Sequence, residues 1–534
     1  MSGDVLVQDA RIIDGTGAPW YRADVRIRDG RIAAIEPGLD PSGATLVPAG
    51  DRFLAPGFID AHCHDDLITL REPARIEKLL QGVTTVVVGN CSFSLYPTRG
   101  GSGDLLRQHF GALLGETAPT EIFSDFAGYR AALQGQGAAL NLVSLVGHGP
   151  LRLAVMGYQG RAATTAERRA MCDLLAVQLR QGAAGLSLGL VYPPSAFADT
   201  DELVALARTV RDHGKLLTAH LRSYEGGLLT AVDEFLAILA ESGAAGLLSH
   251  LQSAGRPYWG RVPTVLSRLE AARGDGLDVT FDMYPYLAGS SYLLQLLPPA
   301  ALDGGYDALC DRLRDPAQRE AIRRWIEEGS GDPHQSSKIS LIGWDSVQLS
   351  AIGAAGLKHL EGRRFDAAAA SLGITAFDLL VLLVEQDAGQ TGVVLFQLDV
   401  ADVRAACCHR LHIGGSDGLP RPGTRPHPRG YGSFPRFVGR LVRDEGWFPI
   451  EDAVRRLTSA SAQRFGLVDR GVIRVGLAAD LVLFAPTIID EATFDAPTRL
   501  ARGVSHVWVN GEAVVRDGQV TDRRPGRVLP LGDP

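Results

Sequence analysis

Eight short apolar runs recur along the middle of the chain, FIDAHCH, TTVVVGNC, LVSLVGHG, AAGLSLGL, KLLTAHL, GLLSH, VTFDMYPY and LHIGGSD. Amphipathic stretches such as TAERRAMCDLLAVQLRQG and TDELVALARTVRDHG lie between them. Strand-like runs alternating with helical periodicity are the signature of βαβ units around a parallel sheet, which allows a barrel or a doubly wound fold. The count of eight favours an α/β TIM-like (β/α)8 barrel. Two further runs, ISLIGW and VVLFQ, are surplus to that count.

Both ends of the chain read differently. Val5 to Leu46 consists of short alternating strands broken by Gly15, Gly17, Asp29 and Gly30, which suits hairpins. The style returns near the C-terminus in GVIRVGLAADLVLFAP, VSHVWVNGEAVVRDGQV and a final GRVLPL, with Asn510-Gly511 as a turn signal. Either set alone would leave unpaired edges, so the expectation is a small β-sandwich built from residues 1–55 and 466–534. Residues 56–465 would form the barrel, and a helical, charge-rich stretch at about 293–390 would be an insertion covering one face.

The net charge is −8, and the arginines are scattered rather than gathered in a stripe. That excludes an electrostatic footprint for nucleic acid and points to a small-molecule partner. No run of about 18 apolar residues marks a membrane span. The opening MSGDVLVQDARIIDG lacks the basic start and apolar centre of a signal peptide, so a soluble, cytoplasmic protein is expected. The six cysteines show no CxxC spacing, and a disulfide framework is not expected in a chain that can bury a large core.

Ligand-type residues sit at the ends of the apolar runs: His62, His64, Cys91, His148, His220, His250, Asp282 and Asp417. In a barrel these ends converge on one face, so residues distant in sequence meet there. The two-residue period of a strand aims His62 and His64 the same way, and paired imidazoles suit a divalent metal. Asp65 and Asp66 read as supports for those ligands or as loop formers. Cys91 reads equally as a thiolate ligand or as a buried small hydrophobe, and Asp417 as a functional carboxylate or a turn cap.

The ordered set PGFIDAHCHDD, VGNCSFS, VGHGPLR, GLSLGLVYPPSAFA, AHLRS, SHLQ, FDMYPY, GGSDG and HPRGYGSFPRFVGRLVRDEG resembles the N-acyl-D-amino-acid deacylases, or D-aminoacylases, of the amidohydrolase superfamily. The resemblance runs almost end to end. It implies a distorted barrel, a sandwich made from both termini, and hydrolysis of the amide of an N-acyl-D-amino acid or related N-acyl compound by zinc-activated water. Carried over, Cys91, His220 and His250 would hold a principal zinc, His62 and His64 a second and often weaker one, and Cys91 would be common to both. A carboxylated lysine bridges the metals in many relatives, but none of Lys78, Lys215, Lys338 and Lys358 stands at a comparable strand end.

By the same resemblance Asp417 is the general base and acid, and Tyr192, Tyr284 and Arg429 fall where the family holds the substrate carboxylate. A planar guanidinium suits bidentate pairing with such a group; the tyrosines read equally as amphipathic walls. Two departures stand out. Gln252 replaces a substrate-binding lysine, which removes a charge and implies an altered or masked acid group in the substrate, and Tyr224 separates Ser223 from Glu225. Cyclic amide or imide hydrolysis by the same chemistry is the alternative activity, and a catalytically silent binding homologue a more distant one.

Overall fold

The computed structural model describes residues 4–332, 335–387 and 389–531. All eight apolar runs of the middle segment are strands: Phe58–Asp60, Val83–Val88, Asn141–Ser144 continuing as Val146–Gly147, Gly185–Gly189, Leu216–His220, Ala245–Leu248, Val279–Met283 and His412–Gly414. They pair in parallel as one six-stranded and one three-stranded ladder. Backbone hydrogen bonds join the ladders into a ring: Leu145 N to Val88 O at 2.9 Å on one side, Ala61 N to Gly414 O at 3.2 Å on the other. Val83–Val88 is buried at every residue, as expected of a β-branched strand covered on both faces.

The two helical stretches singled out in the sequence are helices Thr165–Arg180 and Thr200–Asp212. Thr164 and Glu167 form a capping box at the start of the first, satisfying amide groups that a helix N-terminus leaves orphaned. Asp199 caps the second by accepting from Glu202 N at 2.9 Å. That helix buries Leu203, Val204, Leu206, Ala207 and Val210, the stripe that holds it against the barrel.

The strands of the two chain ends pair as one continuous nine-stranded sheet. Its junction is Phe53–Pro56 against Leu481–Ile489, antiparallel. Its far edge, Arg31–Glu36, returns to the segment entering that junction, with Ile32 N bonded to Leu477 O and Ala479 N to Gly30 O, both at 2.9 Å. The sheet thereby closes over a core of its own that includes Val25, Leu54, Leu483 and Trp508. Asn510 and Gly511 both adopt positive φ between their strands, the conformation a tight hairpin demands. The final GRVLPL does not join this sheet. It lies along the third barrel strand, where Leu142 N bonds to Arg527 O and Leu529 N to Leu142 O. Residues 1–3 and 532–534 of the expected sandwich segments lie outside the described residues.

Between the seventh and eighth barrel strands, Gly289–Tyr292, Gly392–Leu395 and Val347–Ala351 make a separate antiparallel sheet. Helices such as Gly305–Arg314, Pro316–Glu328 and Ala376–Asp387 pack on it around a second hydrophobic cluster. Both surplus runs belong here: VVLFQ supplies a strand, and ISLIGW is a short helix, Lys338–Ile342, and the turn after it. Among the described residues no single helix is long and apolar enough to cross a membrane.

Candidate active site

The strand ends bring His62, His64, Cys91, His220, His250 and Asp417 to one end of the barrel. The Cys91 sulfur lies 3.3 Å from His62 Nε2 and 3.4 Å from His250 Nε2. His220 stands edge-on to His250 with 4.5 Å between ring centroids. Asp417 Oδ1 lies 3.2 Å from His64 Nε2 and 3.6 Å from His62 Nε2. Two sets of three donors fall within reach of a single ion, His62–Cys91–His250 and His62–His64–Asp417. His62 thus touches both sets, whereas the resemblance placed it only in the second site, with His64 and the shared Cys91.

The spacing fits zinc. Metal–sulfur and metal–nitrogen bonds of about 2.3 and 2.0 Å at tetrahedral angles put donor atoms about 3.5 Å apart. The chemistry of the set also fits, since a thiolate among imidazoles is a zinc-type ligand field. Burial opposes ionisation of Cys91, yet the His62 and His250 imidazoles hold its thiol well below the usual range. Burial likewise acts against protonation of His64, but its contacts with Asp417 and Cys91 raise it to about 9. Burial and the neighbouring His250 lower His220 to about 4, leaving a neutral donor.

The backbone is held unusually at three of these residues. Cys91, His250 and Asp417 have φ of 53°, 36° and 48°, left-handed values that cost non-glycine residues about 1–3 kcal/mol each. Neighbouring contacts enforce them. His250 N donates to Asp282 Oδ1 at 2.8 Å, and Asp417 N to His62 O at 2.7 Å. Under the Asp417 loop, Lys78 Nζ is 2.6 Å from Asp60 Oδ2 and 3.1 Å from Ser416 Oγ. Ser416 N and Oγ both donate to Asp60. Lys78 is spent on this brace.

Asp282 was legible as a strand-end carboxylate, but its task was not. Its Oδ2 lies 3.1 Å from His62 Nδ1 while Oδ1 holds the His250 amide, so one buried side chain orients two imidazoles. Asp282→Asn is expected to weaken zinc affinity roughly ten- to hundredfold, measured by competition with a chromogenic chelator. His148 is placed elsewhere. It opens helix His148–Met156 and pairs with Glu202 at 2.7 Å, which also binds Arg152. Asp65 is likewise committed, to Arg75 at 3.0 Å.

The cluster floors a cavity of about 540 Å³ that also takes lining from Tyr192, Gln252, Tyr284 and Arg429. Arg429 Nη1 pairs with Asp417 Oδ2 at 2.9 Å, and its guanidinium lies over the Tyr284 ring, 4.6 Å from the centroid. Burial would raise the Asp417 carboxyl, but Arg429 and the histidines hold it well below the carboxylate range. Tyr284 donates to Gln252 Oε1 at 3.2 Å. Tyr192 stacks on Tyr292, with centroids 6.1 Å apart, and meets His220 at a tilt, with centroids 5.0 Å apart. A larger cleft of about 920 Å³ opens at the opposite ends of the strands, but the only three-donor sets among the described residues lie in the cavity just described or directly beneath it.

Residues 363–515 match the model of an amidohydrolase family. The chain is 36% identical to the D-aminoacylase of Alcaligenes xylosoxydans xylosoxydans, over 98% of this chain and 97% of that one. It is 37% identical to the N-acyl-D-glutamate deacylase of the same organism, over 98% and 96%. Among solved structures it superposes on the N-acyl-D-glutamate deacylase of Bordetella bronchiseptica, complexed with zinc and a phosphonate mimic of the tetrahedral intermediate, with a TM-score of 0.84 and 36% identity over 99% of this chain and 100% of that one. Sharing more than a third of its residues with these proteins along nearly its whole length, the chain belongs to the D-aminoacylase family of amidohydrolases.

Proposed function

We infer that the protein is a zinc-dependent amidohydrolase that cleaves the amide bond of N-acyl-D-amino acids. The observation that carries this reading is the juxtaposition of a soft, ionised donor set around Cys91 with the Asp417 carboxylate, at the floor of a cavity walled by Arg429. Cys91, His220 and His250 would hold the tighter zinc, and His62 and His64 with Cys91 a weaker second one. When bound, zinc supplies Lewis acidity, which lowers the pKa of water and polarises a carbonyl oxygen.

The remaining work falls to the chain's own side chains. Asp417 takes the proton from the attacking water and delivers it to the departing nitrogen, because an amine leaves poorly unless protonated. Its ion pair with Arg429 keeps it an acceptor at neutral pH, and the strained backbone fixes its direction. Arg429 also anchors the substrate carboxylate: its Nε has no hydrogen-bond partner among the described residues despite full burial, so the guanidinium retains a donor for a planar anion. Tyr284 backs that guanidinium, Gln252 offers its amide N–H to the same region, and Tyr192 forms the wall beside His220. We place the enzyme in the cytoplasm; its free cysteines accord with a reducing compartment.

The test is amine release from paired N-acetyl-D- and N-acetyl-L-amino acids. The zinc-loaded protein should turn over the D series, lose at least 99% of that activity on exhaustive chelation, and regain it on adding zinc. Turnover that survives verified removal of metal would sink the reading.

A further inference from the structure

The relatives do not choose a substrate side chain, since a D-aminoacylase and a D-glutamate-specific deacylase lie at 36% and 37% identity. The cavity does. Resting on the deacylase reading above, we propose that this enzyme selects N-acyl-D-amino acids with neutral, apolar side chains and rejects acidic ones, and that Glu225 is the residue responsible.

An acidic side chain entering a dry pocket needs a cation not already neutralised, because a buried and unpaired carboxylate carries a severe desolvation cost. Among the described residues, three arginine or lysine side chains line the cavity: Arg222, Lys338 and Arg429. Each has an acid. Arg222 pairs with Glu234 at 2.9 Å and spends further donors on the carbonyls of Ala196 and Ala198. Arg429 pairs with Asp417, and its remaining capacity serves the α-carboxylate that every substrate of this class carries.

Lys338 is the informative one. It comes from the insertion, at the first turn of helix Lys338–Ile342, and reaches into the same cavity as the metal donors. There its Nζ meets Glu225 Oε1 at 2.5 Å. Glu225 follows the fifth barrel strand by five residues and is fixed through its other oxygen by Tyr224 N and Ser223 Oγ, both at 3.2 Å. The acid is therefore anchored on the barrel and masks a cation offered by the insertion. The same lining supplies apolar side chains, Phe197, Leu294, Leu297, Leu302 and Trp325, alongside neutral polar ones such as Gln295 and Gln335. A neutral side chain gains from that wall by leaving water, whereas a carboxylate would compete with Glu225 for Lys338.

The experiment compares kcat/KM of the zinc-loaded full chain for N-acetyl-D-leucine, -phenylalanine, -glutamate and -aspartate. The neutral pair should exceed the acidic pair by at least tenfold. Glu225→Gln should raise acidic relative to neutral turnover by at least tenfold, and adding Lys338→Met to that variant should abolish the gain, because the freed cation is what the new substrate uses. Lys338→Met alone, which leaves Glu225 unopposed, should widen the discrimination. Equal or better use of the acidic pair by the wild type overturns the proposal while leaving the deacylase reading intact, as does an unchanged ratio in Glu225→Gln or a gain that persists without Lys338. No amine release from any of the four overturns both.

Discussion

Replacing Asp417 by asparagine is expected to lower kcat by about a thousandfold, within the range of about 10²–10⁴ for loss of a positioned proton carrier, while the protein remains folded. Asparagine preserves the shape of the side chain and can keep a hydrogen bond to His64 or Arg429. It is also among the residues that best tolerate the φ of 48° at this position. What it cannot do is accept a proton from water and release it to nitrogen. The fall should therefore appear in kcat more than in KM, and zinc content should stay within twofold of the wild type, since Asp417 is not among the Cys91, His220 and His250 donors assigned to the tighter zinc. Steady-state kinetics with metal analysis on the same preparation separates these effects. A variant that retains a tenth of wild-type turnover would assign proton transfer to another group.

Cys91→Ala should have the second large effect, removing metal and activity together. The sulfur touches His62 and His250 and carries an anionic charge at the centre of the cluster. Without it the tighter site keeps only the imidazoles of His220 and His250. Zinc retained after dialysis should fall below a tenth of an equivalent, and kcat/KM at trace metal by at least a thousandfold. Alanine fits the buried position, so near-native far-ultraviolet circular dichroism separates loss of metal from loss of fold. Full zinc occupancy in this variant would show that the histidines suffice and that the thiolate is dispensable.

The sequence disclosed the parts of this site that follow from local geometry. His62 and His64 are two residues apart at a strand end, so period two aims them together. The barrel was legible for a related reason, because each strand is a short apolar run between amphipathic helices. Asp282 shows what local pattern does not carry: its two oxygens serve residues on the first and sixth barrel strands, a relation created by the order of strands around the ring. Lys338 and Glu225 meet across 113 positions of sequence, and neither spacing nor charge pattern signals it. Unpaired edges pointed to one unit made from both chain ends, but not to the order of its strands. Strand character at both chain ends was visible, but the pairing of Phe53–Pro56 with Leu481–Ile489 is a matter of register between distant segments. The last run, GRVLPL, has strand composition yet lies along the barrel, where two isolated bridges occupy it.

That terminal sheet has a consequence for how the molecule is made. Phe53–Pro56 leads directly into the strand Phe58–Asp60 that precedes His62 and His64, and its partner at Leu481–Ile489 leaves the ribosome more than 400 residues later. At about 5–20 residues per second of synthesis, the first strands wait roughly 20–90 seconds with an open edge before their mate emerges. The nascent chain must keep that edge from pairing with another copy over the whole interval, so slow translation or a stalled message would expose this protein to aggregation at its earliest-made end.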